Sequence, residues 1–306
     1  MMAARQIAFL RTNRFDAQAE AQVESLSRVR DLDVVVCADE RHGIVDTGHW
    51  PKISMTAESL SRLNLHHHRR AGWQCGDYFY YHVLAARSDY NFYWMVEPDV
   101  LIDFPDVSEV FALFDRARHD LIAPKFGHRP QSWGWHTAMQ EDGQPVFGTS
   151  VQFIRLSARA VAALHRVRAK ASSAPGDKVW NAWPNDESFV ATTLARLGFE
   201  CADINAFSEV PLWHRDTFRN LSPWLLEERQ KQRGSRRLYH PVLSRDAYLA
   251  KLRWFYGRGR LPTPDQRTTL LEYFGAEILE EFSAYGHSPA ARFASHRTTG
   301  WSGRKE

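Results

Sequence analysis

Cysteine is scarce in this 306-residue sequence, with only Cys37, Cys75 and Cys201. Three scattered cysteines exclude a disulfide scaffold and a cysteine-rich zinc site, so reduced thiols in a cytosolic setting are expected. Long apolar runs are missing as well. The longest resemble Phe92 to Val96, too short to span a bilayer. The opening residues, Met1-Met2-Ala3-Ala4-Arg5-Gln6, lead into strand-like sequence without the apolar stretch and cleavage site of a secretory signal, and a cytoplasmic location is expected. Net charge is only +3, which speaks against a nucleic-acid binder. Lysine is sparse, 7 residues against 32 arginines. An arginine excess fits phosphate or carboxylate binding, and equally a biased base composition. There is no P-loop, no His-Glu-x-x-His run and no Gly-x-Ser-x-Gly elbow. What is present is ordinary globular composition, 44% apolar and 25% charged, which excludes disorder.

The pattern predicts an α/β chain. Arg5 to Arg11 reads as a buried strand, about Asp16 to Arg30 as a helix, and Leu32 to Cys37 as a β-branched second strand. Two strands around one helix imply a parallel, buried sheet. After an irregular stretch over 38–70, a helix is expected from Gly76 to Ala86 and a strand region from Phe92 to Ile102. Further strands are expected at Asp120 to Pro124, Thr149 to Leu156 and Phe199 to Ile204. Helices are expected after Ser108, after Ser157, and from Asn185 or Asp186 to Gly198. From Ser222 onward the pattern predicts helices only, and 288–306 reads as a frayed basic tail. The expected organisation is a main domain over 1–221, a helical extension over 222–287 and the tail.

The most informative segment is Tyr93-Trp94-Met95-Val96-Glu97-Pro98-Asp99. In an open parallel sheet, ligands bind beyond the carboxyl ends of the strands. Alternate residues of an extended segment share a face, so Glu97 and Asp99 point the same way. Like charges held close are costly unless a cation lies between them. Oxygen ligands suit Mg²⁺ or Mn²⁺, which also take phosphate oxygens from a substrate. The competing reading is a strand exit with two solvated acids. Trp183-Pro184-Asn185-Asp186-Glu187 places a second acidic pair at a helix start. A cap is the plainer reading there, and a general base the functional one. Among 14 histidines, the run His66-His67-His68 cannot converge on one ion. His214 and His240 each follow an aromatic residue late in the chain and are candidates to reach a metal or a leaving phosphate.

Taken together, these features resemble the GT-A fold of nucleotide-sugar-dependent glycosyltransferases. The acidic motif after an apolar, aromatic strand is the family's mark, here Phe92-Tyr93-Trp94-Met95-Val96-Glu97-Pro98-Asp99-Val100, with Glu97 in place of the usual first Asp. The resemblance implies a Rossmann-like, mostly parallel central sheet flanked by helices. It implies that Asp99 binds the ion bridging a nucleotide diphosphate, and that Glu97 contacts the ribose or the ion. Asn185-Asp186-Glu187 falls where an inverting member carries its base, either Asp186 or Glu187. Leu238-Tyr239-His240-Pro241-Val242 resembles the late metal-ligand element, with His214 as its rival. Arg11, Thr12 and Asp39 resemble nucleobase and ribose contacts, and Lys125 a group that neutralises the leaving diphosphate. Trp133, Trp135 and Trp183 suit stacking on an acceptor sugar, as does Trp180.

The implied activity is transfer of a sugar from a nucleotide-diphosphate sugar to a hydroxyl of a glycan or lipid-linked saccharide, as in polysaccharide biosynthesis, with Mn²⁺ or Mg²⁺. Arg236-Arg237 and the basic tail offer charge for peripheral contact with anionic lipid at the inner membrane face. Two rivals stand beside this reading. A nucleotidyltransferase that makes the nucleotide-sugar expects a Gly-rich basic loop after the first strand, and Leu10-Arg11-Thr12-Asn13-Arg14 has no glycine. A non-catalytic sugar- or nucleotide-binding module is the other.

Overall fold

The computed structural model describes residues 4–173, 183–219, 222–257, 260 and 262–285. The expected tail at 288–306 and Trp180 lie outside the described residues. Among the described residues no helix is long and apolar enough to cross a membrane.

Contacts divide the chain into two units. The first comprises Met1–Phe218 and Gly234–Tyr239, the second Arg219–Arg233 and His240–Glu306. The chain thus passes between units three times; the expected organisation was a main domain over 1–221, an extension over 222–287 and a tail over 288–306.

The first unit is an α/β layer structure. Its strands in chain order are β1 (Gln6–Thr12), β2 (Leu32–Asp39), β3 (Lys52–Met55), β4 (Phe92–Val96), β5 (Leu101–Asp103), β6 (Leu121–Ala123), β7 (Gly127–His128), β8 (Phe147–Gly148), β9 (Phe153–Ser157) and β10 (Cys201–Asp203). Its helices are α1 (Ala17–Ser27), α2 (Ala57–Arg62), α3 (Ala71–Gln74), α4 (Asp77–Ala86), α5 (Ser108–Ala112), α6 (Ala158–Ser173) and α7 (Asp186–Arg196). Seven strands form one sheet in the order β10-β6-β9-β4-β1-β2-β3. All its pairings are parallel except those of β9, which runs against both neighbours. The mostly parallel, Rossmann-like sheet flanked by helices is the expected architecture. β4 is apolar throughout and β1 is apolar from Ile7 to Leu10, because a hydrophobic core packs on each face of these strands. Phe9, Met95 and Ile154 belong to the core on one side, and Ala8, Trp94 and Phe153 to the core on the other.

The Phe92 to Ile102 region is two strands, not one. The Val100 amide donates to the Glu97 carbonyl at 3.1 Å and turns the chain after β4. β5 then leaves the main sheet and pairs antiparallel with β12 (Arg237–Tyr239). Asp103, 1% exposed, holds that returning segment by accepting from the Gly234 and Ser235 amides at 2.9 and 3.0 Å. The irregular 38–70 stretch also contains order, in β3 and α2. α2 is closed by a reciprocal capping box between Thr56 and Ser59.

The second unit departs from the helix-only expectation. Alongside α8 (Leu226–Lys231), α9 (Arg245–Tyr256), α10 (Pro264–Phe274) and α11 (Ala276–Tyr285) it has a short parallel pair, β11 (Trp224–Leu225) with β13 (Val242–Leu243). Its own core gathers Leu225, Tyr248, Leu252, Phe255, Leu270 and Phe282. α10 begins as the sequence indicates, with Thr263 capping ahead of Pro264, and ends at Gly275, whose φ of +88° suits glycine.

One buried ion pair braces the first unit. The Arg168 guanidinium in α6 donates in bidentate fashion to Asp77 in α4, at 2.7 and 3.0 Å, and both side chains are almost fully buried. Tyr81 adds its hydroxyl to the same carboxylate at 2.7 Å, and the guanidinium stacks on Phe189 at 3.6 Å. Removing one partner strands a buried charge. Arg168→Met is therefore expected to lower unfolding stability by about 3–5 kcal/mol in urea titration, whereas the double change Asp77→Leu/Arg168→Met loses less.

Candidate active site

The parallel register builds the site. β1, β2 and β4 end on the same edge, and Leu10 lies opposite both Val36 and Val96. One residue further, Arg11 and Glu97 emerge side by side. Arg11 Nη2 lies 3.1 Å from Glu97 Oε1, and Nη1 lies 3.2 Å from Asp186 Oδ2. The two carboxylates raise the Arg11 pKa against the opposing effect of burial. Because β9 is antiparallel, its beginning lies at this edge too, and the Glu97 amide donates to the Gln152 carbonyl at 2.9 Å.

Glu97 and Asp99 are half-buried, and one carboxylate oxygen of each lies within 4.8 Å of the other. Two hard oxygen donors at that spacing suit a hard metal ion. Asp99 also contributes to the field that holds Arg11 charged. Together these contacts bring Arg11, Glu97, Asp99 and Asp186 to one place.

At the start of α7 the cap and the acids separate. Asn185 is the N-cap, its Oδ1 accepting from the Ser188 amide at 3.1 Å. Asp186 is 2% exposed and fully engaged. Its Oδ2 accepts from the Gly76 amide at 2.8 Å and pairs with Arg11, while Oδ1 accepts from the Glu187 amide at 2.9 Å. Burial pushes its carboxyl up to about 6 despite Arg11. Glu187 remains half-buried, with its carboxyl pushed up to about 7 by burial and the neighbouring Asp186 charge. Lys125 and a hydrogen bond with Gln152 oppose that rise.

Lys125 follows β6 at φ +61°, a left-handed conformation uncommon for a side-chain-bearing residue. Its ammonium lies 5.9 Å from the Trp213 ring and 5.6 Å from that of Phe218. Burial draws its pKa down while Glu187 raises it. Arg129, four residues on, shares the Glu187 field and lies 5.4 Å over Trp133.

The remaining expected residues divide. The Asp39 carboxylate is 8% exposed and taken by Arg41 in bidentate fashion, at 2.8 and 2.7 Å. Thr12 bonds the Arg14 carbonyl within its own loop. Trp133 and Trp135 are half-buried in the loop between β7 and β8. Trp183 is a core residue, 2% exposed, which leaves its ring no face for an acceptor sugar. Its ring packs 4.8 Å from His66 and 5.3 Å from Arg168. His214 sits on the surface of the first unit, with Nδ1 3.0 Å from Asp216. His240 is the first residue of the second unit's longer stretch, directly after Tyr239.

Four residues of the site escape sequence reading: Gln152, Arg129, Trp73 and Gly76. Trp73 is 58% exposed, and its ring lies 6.0 Å from Trp135. Gly76 carries the only available signal, a glycine just ahead of a helix. A Cβ there would lie 1.9 Å from Arg11 Nη1 and 2.4 Å from Asp186 Oδ2. Gly76→Ala is expected to push Arg11 off Asp186 and cost about 1–3 kcal/mol. In a double-mutant cycle with Arg11→Met, measured by urea unfolding, the two costs should fall well short of additive.

No protein-family model and no curated protein matches the chain. Among solved structures, a glycosyltransferase involved in the glycosylation of the major capsid of PBCV-1 aligns with a TM-score of 0.38 and 9% identity, over 76% of this chain and 91% of that one. A likeness that distant bears on neither family nor reaction.

Proposed function

We propose that this chain is a glycosyltransferase that moves a sugar from a nucleotide-diphosphate sugar to a hydroxyl acceptor, a glycan or lipid-linked saccharide. The observation that carries the reading is the paired carboxylates Glu97 and Asp99 at the carboxyl edge of a mostly parallel sheet, wired through Arg11 to Asp186 beside a half-buried Glu187 of raised pKa. Strand ends of such a sheet are where nucleotide ligands settle.

Glu97 and Asp99 hold a divalent cation in this reading. His240 is the third ligand that the family resemblance implies. Bound Mg²⁺ or Mn²⁺ supplies neutralisation of charge on the diphosphate leaving group. Lys125 adds a positive charge from the chain itself. Glu187 is the base, because a carboxyl tuned near neutrality accepts a proton from an attacking hydroxyl far better than an ion-paired one. Asp186 is a positioning residue that fixes Arg11 and the start of α7. Attack on the face opposite the leaving group inverts the anomeric centre. Trp73 and Trp135 offer the acceptor aromatic faces, in place of Trp183.

Asp99→Ala is expected to abolish transfer in a screen of nucleotide-sugars with Mn²⁺, and to abolish Mn²⁺-dependent binding of the matching nucleoside diphosphate in calorimetry. Retention of near-full activity at saturating donor overturns the metal assignment.

Glu187 gives the rate a pH signature. The base must be ionised, so kcat is expected to rise with pH along a limb centred near 7. Glu187→Gln should lose several orders of magnitude in turnover. A carboxyl with a folded value above its unfolded one stabilises the fold at low pH and loses that contribution as pH rises through the folded value. The Tm of Glu187→Gln relative to wild type should therefore climb between pH 5 and pH 8. A flat difference would show that Glu187 is not the perturbed group.

A further inference from the structure

A second cleft lies at the opposite end of the sheet. It is about 510 Å³ in volume and is bordered by Gln6, Leu32 and Phe92, the amino-terminal residues of β1, β2 and β4. Clefts that hold small molecules are typically of roughly 300–1,000 Å³, mostly apolar with a few placed polar groups. The apolar lining here includes Phe92, Phe111 and Phe114, all buried.

The unusual group is Arg155, in the middle of β9. It lines the cleft and is 1% exposed, whereas the other charged residues around the cleft are exposed or half-buried. A buried guanidinium normally faces a carboxylate. Arg168, elsewhere in the same unit, does so, and Arg155 does not. Its Nη1 donates to the Phe114 carbonyl at 3.1 Å and its Nη2 to those of Ala117 and His119 at 3.0 and 3.3 Å. Its Nε, buried, has no hydrogen-bond partner among the described residues. The guanidinium stacks on Phe92 at 4.0 Å. Burial pushes its pKa down to about 10, the nearby positive charge of Arg118, another residue of the cleft, adds to that fall, and Asp115, also on the cleft, and Asp120 oppose it without contacting the guanidinium. Glu109, also on the rim, is occupied by Arg236 at 2.5 Å. A buried donor without an acceptor calls for a partner.

We propose that this cleft binds a small organic anion with an apolar body, a carboxylate or sulfonate whose charge meets Arg155 and Arg118 and whose hydrocarbon or aryl portion packs on Phe92, Phe111 and Phe114. The three carbonyls bonded by Arg155 orient the guanidinium, and Asp115 and Asp120 act on its charge only from a distance, so no carboxylate contacts it; the ligand's acidic group supplies that contact. The site owes nothing to the transferase reading, because none of its residues takes part in the carboxyl-edge chemistry.

The test uses the full chain and 1-anilinonaphthalene-8-sulfonate as a fluorescent probe. One equivalent is expected to bind. Ala112→Phe, which fills the cleft from the exposed end of α5, and Arg118→Ala should each weaken binding about tenfold, the loss expected for one charged or well-packed contact. Neither variant touches Arg155, so the fold is kept. Asp99→Ala should bind the probe like wild type, and a nucleoside diphosphate with Mn²⁺ should not displace it. Decanoate should raise Tm where decan-1-ol does not. Absence of probe binding, affinity unchanged in both cleft variants, displacement by the nucleotide, or equal stabilisation by the alcohol overturns the proposal.

Discussion

The carboxyl edge of the sheet depends on one guanidinium. Arg11 stands between Glu97 and Asp186, with its side chain about nine-tenths buried. Carboxylates in such a setting repel one another and lose hydration, and each is tolerable only with a cation in contact. Arg11 provides that contact to two of them at once. It thereby ties the end of β4 to the start of α7, while the Gly76 amide adds the start of α4 through the same Asp186 oxygen. Glycine at 76 is a steric requirement of this junction, since its missing side chain is the space the guanidinium and carboxylate occupy.

Two adjacent acids acquire different characters from this arrangement. Asp186 has every oxygen committed, to Arg11, to Gly76 and to the following amide. Glu187, one residue on, faces Lys125 and Gln152 from a half-buried position and inherits the repulsion of Asp186. Environment rather than residue type divides structural acid from chemical base. Asn185 makes the division possible. By taking over the cap it relieves both carboxylates of the task that best explains acids at a helix start.

The sequence carried the sheet and its edge more legibly than the site's fine structure. β1, β2 and β4 were readable because strands buried on both faces are written as continuous apolar runs, and Glu97 and Asp99 were readable because polarity changes abruptly where such a run ends. The two-residue strands of the second unit escaped the pattern, being too short to show a period. Trp183 was misleading because composition says nothing of depth: the same indole suits a sugar platform or a core, and here Arg168 and His66 enclose it. Asp39 was legible as an acid at a strand end, but its consumption by Arg41 rests on a turn geometry that spacing does not encode. Trp73 sits on a four-residue helix with no distinguishing context, and only the approach of Trp135 from a distant loop marks it out.

The reversed strand explains how that loop reaches the edge. β6 runs parallel to β4 and ends at the carboxyl edge, and β9 begins there because it is antiparallel to both. The pair is in effect a long hairpin, closed at its base where the Thr149 hydroxyl and the Ser150 amide donate to the Pro124 carbonyl at 3.0 and 2.8 Å. The residues between, 125–148, therefore leave and return at the same edge. An all-parallel sheet would have had to carry the chain back beneath the strands before β9, and this segment would have been a crossover instead of a site loop. Lys125 and Arg129 stand near Glu187, with Trp133 beside Arg129, for that topological reason. Arg155 follows from the same reversal: three residues past Gln152, a strand running away from the acidic edge delivers its arginine toward the cleft at the other end.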